Sequence, residues 1–389
     1  MQPFIKTHRY LIDHLDTPVR RDLIGEINWD DRLIGIKGAR GIGKTNFLLD
    51  YAKRAYGSDK ACLYVNLNNL YFSDRTIISF ADEFRKTGGQ TLILDQVYKY
   101  DNWSTELRYI YDNFTDLHVV FSGSSVMRLQ EENPELFGKV KSYSLEGFSF
   151  REYLNLKAGT SFSSFSLQDI LTKHEEICRE IVDQVKPLAY FNDYLHHGYY
   201  PFLLEDHNYL ENLLKNINLT LEIDISYLKQ IELKYLPKLR KLLYLVGLSA
   251  PFQPNVSKLS NDVETSRATI MNYLIYLKQA RLIHLLYDSE EEIVKKPQAV
   301  FMQNPNLVFA VSQNDVDMAG VHKTFFYNQL GYQHKLLASK NCDFLVDGNY
   351  LFYVNKKIKN LGHNEYCACD MIEIGEKHEI PLWLFGFLF

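Results

Sequence analysis

The stretch that decides the fold is Leu33-Ile34-Gly35-Ile36-Lys37-Gly38-Ala39-Arg40-Gly41-Ile42-Gly43-Lys44-Thr45. A short apolar run passes directly into glycines. It is followed by Thr45–Tyr56, where Phe47, Leu48, Tyr51, Ala52 and Ala55 recur on one helical face before Gly57 ends the pattern. Gly38 to Thr45 reads G-x-x-x-x-G-K-[ST], placed between a strand and a helix, where that motif has a mechanism. Glycines let the backbone wrap a phosphate with its amides turned inward, and helix-terminal N–H groups add a positive field. Lys44 supplies a point charge for the terminal phosphates, and the Thr45 hydroxyl is a ligand for Mg²⁺. Gly38, Ala39, Arg40, Gly41, Ile42, Gly43, Lys44 and Thr45 are the expected contacts of a bound nucleotide, read here as ATP.

Outward from this loop, the first 155 residues alternate apolar runs with helical stretches, the pattern of a parallel sheet covered by helices. Strands are expected at Leu33–Lys37, Ala61–Leu67, Thr91–Leu94, His118–Ser122 and Ser142–Leu145. A phosphate-binding loop needs a second Mg²⁺-holding acid at the end of another core strand, and Leu92-Ile93-Leu94-Asp95 provides Asp95. Gln96 follows. Its amide can hold a water but cannot take its proton, and losing a general base typically costs a factor of roughly 10² to 10⁴. Ser122, in Val119-Val120-Phe121-Ser122-Gly123-Ser124-Ser125, is the expected sensor of the γ-phosphate side.

Beyond residue 155 the character changes. Leu167 to Tyr244 has Leu, Ile and Tyr at helical intervals, interrupted at Gly198-Tyr199-Tyr200-Pro201. A helix at Leu239–Val246, a Pro-containing loop, a helix N-capped by Ser266 and a strand at Leu282–Tyr287 follow the order of a winged helix-turn-helix. Short strands are expected at Cys342–Val346, Tyr350–Val354 and Leu382–Phe387, the first two joined by a tight turn at Asp347-Gly348-Asn349. No internal repeat is evident.

The 389 residues suffice for two to four domains, and the 46% hydrophobic and 23% charged fractions are those of ordinary globular protein. A net charge of -5 excludes a global basic field, so any nucleic-acid contact must come from a local patch. Five cysteines, with only Cys367 and Cys369 close together, are no disulfide framework and fit a reducing compartment. The C-x-C reads as two half-buried thiols in a strand or loop rather than as a zinc site. The amino-terminal MQPFIKTHRYLIDHLD has no apolar core of a signal peptide, and no stretch reaches the roughly 20 apolar residues of a membrane span. A cytoplasmic location is expected.

These residues together resemble a family: prokaryotic AAA-type ATPases whose P-loop domain is followed by helices, a winged helix and a restriction-endonuclease-like carboxy-terminal domain. The resemblance rests on Trp29–Thr45, Leu92–Asp112, Val119–Ser125, Leu145–Leu154, Gly198–Phe202 and Ile380–Leu388. Family members usually read Asp-Glu where this chain has Asp95-Gln96, and His where it has Tyr98. They typically present one or two arginines where it has Gly138 and Lys139, so the resemblance makes Lys139 the candidate cation, one lacking the bidentate fork of arginine. The nuclease pattern is eroded too: Val321–Phe326 carries no acid, Asp343 keeps its strand position, and Tyr353 stands where a Glu is expected. One carboxylate does not assemble a usual Mg²⁺ nuclease site.

The fold expected is α/β: a P-loop NTPase parallel sheet (1–155), a helical lid region (156–236), a winged helix-turn-helix (237–290) and a small nuclease-like domain (291–389). The function expected is Mg-ATP binding as a conformational switch, with Gln96, Ser122 and Lys139 on the catalytic side, Thr45 and Asp95 on Mg²⁺, and hydrolysis weak or absent. The alternatives are a DNA-interaction module using the winged helix (Arg267, Lys278, Arg281) and Lys335, Lys340, Lys356, Lys357 and Lys359, or an ATPase completed in trans within a homo-oligomer. A protein partner is a further possibility, and no membrane association is expected.

Overall fold

Strand β1 (Leu33–Gly38) buries its apolar side chains on both faces, which a parallel strand between helical layers requires. The computed structural model places it in a five-stranded parallel sheet with β2 (Cys62–Asn66), β3 (Thr91–Asp95), β4 (His118–Ser124) and β5 (Lys141–Ser144), in the order β2-β3-β4-β1-β5. It describes residues 1–389 apart from 128–132, 206–207, 227–228, 290–295, 313–315, 357 and 359–360. The chain falls into two compact units, Met1–Glu146 and Gly147–Phe389.

In the first unit all five expected strands form, each within two residues of its expected limits. The registers Gly38↔Ser124 and Asn66↔Asp95 bring the carboxyl ends of β1, β2, β3 and β4 to one edge. The strand order reverses at β1, since the chain leaves it toward β2 on one side and returns as β5 on the other. In open α/β sheets that crevice is where ligands bind. The helix Lys44–Tyr56 follows β1 and buries Phe47, Leu48, Leu49, Tyr51 and Ala52. Trp29 stacks on Tyr51 with centroids 3.6 Å apart and planes 8° from parallel, a pairing worth about 0.5–1.5 kcal/mol beyond area burial.

The second unit opens with the helix Phe150–Ala158, whose start is closed by a reciprocal capping box: Ser149 Oγ accepts from the Glu152 amide and Glu152 Oε2 from the Ser149 amide. Helices Leu167–Val182, Leu188–His197 and Tyr209–Leu219 come next, and Gly198–Pro201 interrupts them as expected. Asn306, 1% exposed, binds this helical part to later chain. Its Nδ2 donates to the carbonyls of Tyr194 (3.0 Å) and Leu195 (2.7 Å), and its Oδ1 accepts the Tyr199 amide (2.8 Å) and the Tyr209 hydroxyl.

Helices Leu236–Ser249, Val256–Asp262 and Arg267–Gln279 precede β6 (Ile283–Leu286) and β7 (Ala299–Met302), an antiparallel pair that Phe252 extends by a bridge to Val300. Ser266 caps its helix as expected, accepting from the Thr269 amide at 3.0 Å. A second five-stranded sheet follows, ordered β12-β11-β10-β9-β8: β8 (Leu336–Leu337), β9 (Phe344–Val346), β10 (Tyr350–Val354), β11 (Glu365–Cys369) and β12 (Glu379–Pro381). The β9–β10 hairpin turns where Asp347 and Gly348 take φ of 51° and 69°, closed by the Asn349 amide on the Val346 carbonyl. One expectation fails here. Leu382–Phe387 is a 3₁₀ helix, not a strand, and β12 ends just before it at Pro381. All six of its residues are buried, so the run has no polar alternation, and a continuous apolar run does not distinguish strand from helix by periodicity.

Candidate nucleotide site

Gly38–Thr45 spans the turn from β1 into the helix Lys44–Tyr56. Gly41 and Gly43 have φ of 80° and 88°, left-handed values that side chains resist. Gly43 is also the N-cap residue of this 13-residue helix and gives it no side-chain cap, and a helix start of this kind, with its positive dipole end, suits an anion. Gly38 is tight for another reason: a Cβ there would lie 2.4 Å from Ile42 Cδ1 and 2.5 Å from the Leu145 carbonyl oxygen. Ile42 itself is 1% exposed and anchors the loop through its side chain. Lys44 Nζ donates to the carbonyls of Gly38 (2.8 Å) and Ala39 (2.7 Å), folding back along the loop. Arg40 Nη2 donates to the Tyr98 hydroxyl at 3.4 Å, linking the loop to the turn after β3.

Asp95 ends β3 at the same edge, buried, with its carboxylate surrounded by hydroxyls. Thr45 Oγ1 donates to Oδ2 at 2.8 Å, Tyr64 Oη to the same oxygen at 2.7 Å, and Ser122 Oγ to Oδ1. The structure thus brings Thr45, Asp95 and Ser122 together. It adds Tyr64 from β2, whose hydroxyl is held protonated well above its ordinary range by burial and by the adjacent Asp95 charge. Gln96 donates its amide to Ser122 Oγ at 2.9 Å and takes φ of 59°. A non-glycine residue so placed costs of order 1–3 kcal/mol and persists only when its surroundings enforce it. Ser122 is therefore a clamp on both Asp95 and Gln96.

The donor set suits Mg²⁺, which takes hard oxygen ligands and commonly uses one or two carboxylates together with substrate phosphates. Thr45 Oγ1 and the Asp95 carboxylate are the oxygens that would hold it. Among the described residues no group of three or more His, Cys, Asp or Glu side chains is arranged to hold a metal ion.

Lys139 lies elsewhere. It precedes β5, whose Lys141 pairs with Ile34 at the amino-terminal end of β1, whereas the phosphate loop leaves the carboxyl end. At about 3.3 Å per residue the two edges are roughly 20 Å apart. Lys139 Nζ bonds Asp112 Oδ1 at 3.0 Å and covers the Tyr111 ring. Hydrogen bonds from Arg108 and then Lys139 hold the Asp112 carboxyl below its usual range.

In the second unit, Asp343 Oδ1 accepts from both Lys323 and Lys356 at 2.9 Å, and Oδ2 accepts the Val354 amide. Burial opposes its charge, but these three bonds outweigh burial and hold the carboxyl below the usual range. Lys335 and Lys340 are described, the latter beside Lys323 and Asp343 in a cavity floored by Phe301 and Phe344. Lys357 and Lys359 lie outside the described residues. At the helix Arg267–Gln279, Lys278 covers the Tyr287 ring. No helix among the described residues is long and apolar enough to cross a membrane.

Against known proteins, residues 30–154 match the AAA domain family model, and residues 188–307 match a domain of unknown function. An uncharacterized protein of Methanocaldococcus jannaschii is 26% identical over 289 residues, 69% of this chain and 60% of that protein, so the chain spans about three fifths of the curated relative's length. Among solved structures, a Thermotoga maritima RuvB variant is similar at 11% identity over 73% of this chain and 89% of its own, with a TM-score of 0.27. The Aeropyrum pernix ORC1 protein in complex with DNA is similar at 11% identity over 79% and 91%, TM-score 0.29. AMPPCP-bound DnaA from Aquifex aeolicus is similar at 11% identity over 66% and 85%, TM-score 0.27. Such scores are too low for features of those proteins to be carried across. With its parallel sheet and its glycine loop, the amino-terminal part of this chain has the α/β fold of a P-loop NTPase, and over residues 30–154 it is similar to the AAA domain family.

Proposed function

We propose that this protein binds Mg-ATP at the edge formed by Gly38–Thr45 and Asp95, and that nucleotide occupancy acts as a conformational switch with weak or absent hydrolysis. The observation that carries the reading is the 2.8 Å contact between Thr45 Oγ1 and Asp95 Oδ2, beside a glycine loop whose helix has no side-chain cap. The loop amides and Lys44 would take the phosphates, and Thr45 and Asp95 the Mg²⁺. When bound, the ion neutralises phosphate charge and orients the chain of phosphates. Gln96 and Ser122 belong to the γ-phosphate side, where Gln96 orients a water but has no base to offer it. Arg40, tied to Tyr98, supplies a cation there from the loop itself. The remaining chain is read as a helical lid region (156–236), a winged helix-turn-helix (237–290) and a nuclease-like domain (291–389) in which ammonium groups meet Asp343.

The test is the fate of labelled ATP with Mg²⁺ and protein in excess, followed through a single turnover. ATP that binds and stays intact for hours supports the switch, and ADP within minutes refutes the reading of Gln96. An Asp95→Ala variant that binds Mg-ATP as well as the parent sinks the metal assignment. The position of Lys139 at the far edge favours a second reading, in which its cation serves a neighbouring subunit's site. That reading predicts turnover rising faster than linearly with protein concentration. The helix order around Ser266 supports a DNA contact through the winged helix, checked by binding that falls steeply with salt.

A further inference from the structure

Cys367 and Cys369 lie two residues apart on β11, so their side chains leave the same face of the sheet. Their sulfurs are 3.2 Å apart, with the Cys369 thiol donating to Cys367 Sγ and the Cys367 thiol donating to the Lys356 carbonyl at 3.0 Å. Cys367 is buried, whereas Cys369, the last residue of the strand, is half-exposed. Opposite it lies Pro381, which has no N–H to give to the ladder. The other three cysteines are single and buried, and burial pushes the Cys62 and Cys178 thiols up to about 12, where a thiol is inert. The Cys367 thiol moves the other way, held below its ordinary value chiefly by the bond from Cys369.

We propose that Cys367 and Cys369 are a dithiol modification site, which a low-molecular-weight disulfide oxidises to a cross-link within β11. The bond to Cys367 that holds that thiol down pushes the Cys369 thiol up, so Cys369 must first give its proton to solvent. Half-exposed, it meets the reagent first, and once deprotonated its Sγ attacks one sulfur of the small disulfide and expels one thiol, leaving a mixed disulfide. Cys367 Sγ then attacks Cys369 Sγ and expels the second. The protein loses two protons and two electrons, and the reagent becomes two thiols. Residues two apart on a strand have Cα atoms about 6.6–6.8 Å apart, at the upper end of the range a disulfide spans, so the cross-link is readily reduced. Its formation also removes the proton that Cys367 donates to the Lys356 carbonyl, and Lys356 carries one of the two ammonium groups on Asp343. Oxidation at β11 thereby reaches the charged centre of this domain.

The full-length protein should be equilibrated across ratios of oxidised to reduced glutathione, acid-quenched, alkylated with N-ethylmaleimide and mapped by peptide mass. The expected product is a Cys367–Cys369 disulfide with Cys62, Cys178 and Cys342 alkylated, returning to two thiols as reduced glutathione is raised. Cys367→Ser should stop at a glutathione adduct on Cys369. The proposal is overturned if, in the unaltered chain, both thiols remain alkylatable under oxidising ratios, if the adduct on Cys369 persists unresolved, or if the link forms to Cys342. These three overturning outcomes are all read on the unaltered chain.

Discussion

Replacing Gly38 by alanine tests the geometry of the phosphate loop at its first residue. The added methyl would sit 2.4 Å from Ile42 Cδ1 and 2.5 Å from the Leu145 carbonyl oxygen. The Ile42 side chain can rotate, at a cost in a packed site. The Leu145 backbone cannot, because its amide is held by the Lys37 carbonyl at 2.8 Å on the far side of the β1–β5 pair. Something must move by several tenths of an ångström, and overpacking of this kind costs about 1–3 kcal/mol. For a domain of roughly 150 residues each kcal/mol is about 2–4 °C of melting temperature, so the expected fall is roughly 2–12 °C. The loop amides shift with Gly38, so nucleotide affinity should drop at least about tenfold, or ~1.4 kcal/mol. Gly25→Ala is the matched control, since a Cβ there meets nothing within 4 Å and the backbone needs no positive φ. It should be neutral or gain up to about 1 kcal/mol. Thermal melts of parent and both variants decide the matter: a Gly38→Ala protein melting with the parent refutes the steric reasoning, whatever its affinity for nucleotide.

Tyr64→Phe removes a buried hydroxyl from the Asp95 carboxylate, so it should cost about 1.5–3 kcal/mol in denaturant unfolding, the scale of a hydrogen bond to a charged group. A loss below 0.5 kcal/mol, on the same scale, would mean the hydroxyl contributes nothing to holding Asp95. His284 is half-buried and stacked on the Tyr327 ring with its Nε2 shut off from solvent, and burial, with Arg281 nearby, pushes its imidazole down to about 3. Above its unfolded value near 6.5 both states are neutral; below it only the unfolded chain takes the proton. Stability should therefore fall by about 1.4 kcal/mol per pH unit from this group between roughly pH 6.5 and 3, and His284→Phe should flatten the measured slope by that amount.

The parallel sheet was legible because β1 to β4 are each built on an apolar run closed by Gly, Asp, Asn or Ser, while the edge strand β5, Lys141–Ser144, is polar. The glycine loop was legible because its motif is local. Tyr64 was not, since Cys62–Asn66 reads as core and the target of its hydroxyl is set by the pairing of β2 with β3. The left-handed Gln96 escaped for a similar reason: it is enforced by Ser122, on another strand, and has no local signal. Lys139 was named from the family resemblance, but its edge of the sheet is fixed by the register Ile34↔Lys141. Ser149–Glu152, by contrast, displays the S-x-x-E spacing of a capping box openly, and a reading by capping rules alone could have found it.

Asn306 bears on how the second unit comes apart. A single amide answers polar groups of four residues spread over Tyr194–Tyr209, between 97 and 112 positions earlier in the chain. Asn306 is 1% exposed, so losing its side chain strands buried carbonyls and an amide together. The helical stretch and the segment after β7 therefore share one fate on heating. Expressed alone, the helices would carry a hole in their hydrogen bonding that no redesign of their own surface could fill. The boundary drawn between them by architecture is not one that unfolding respects.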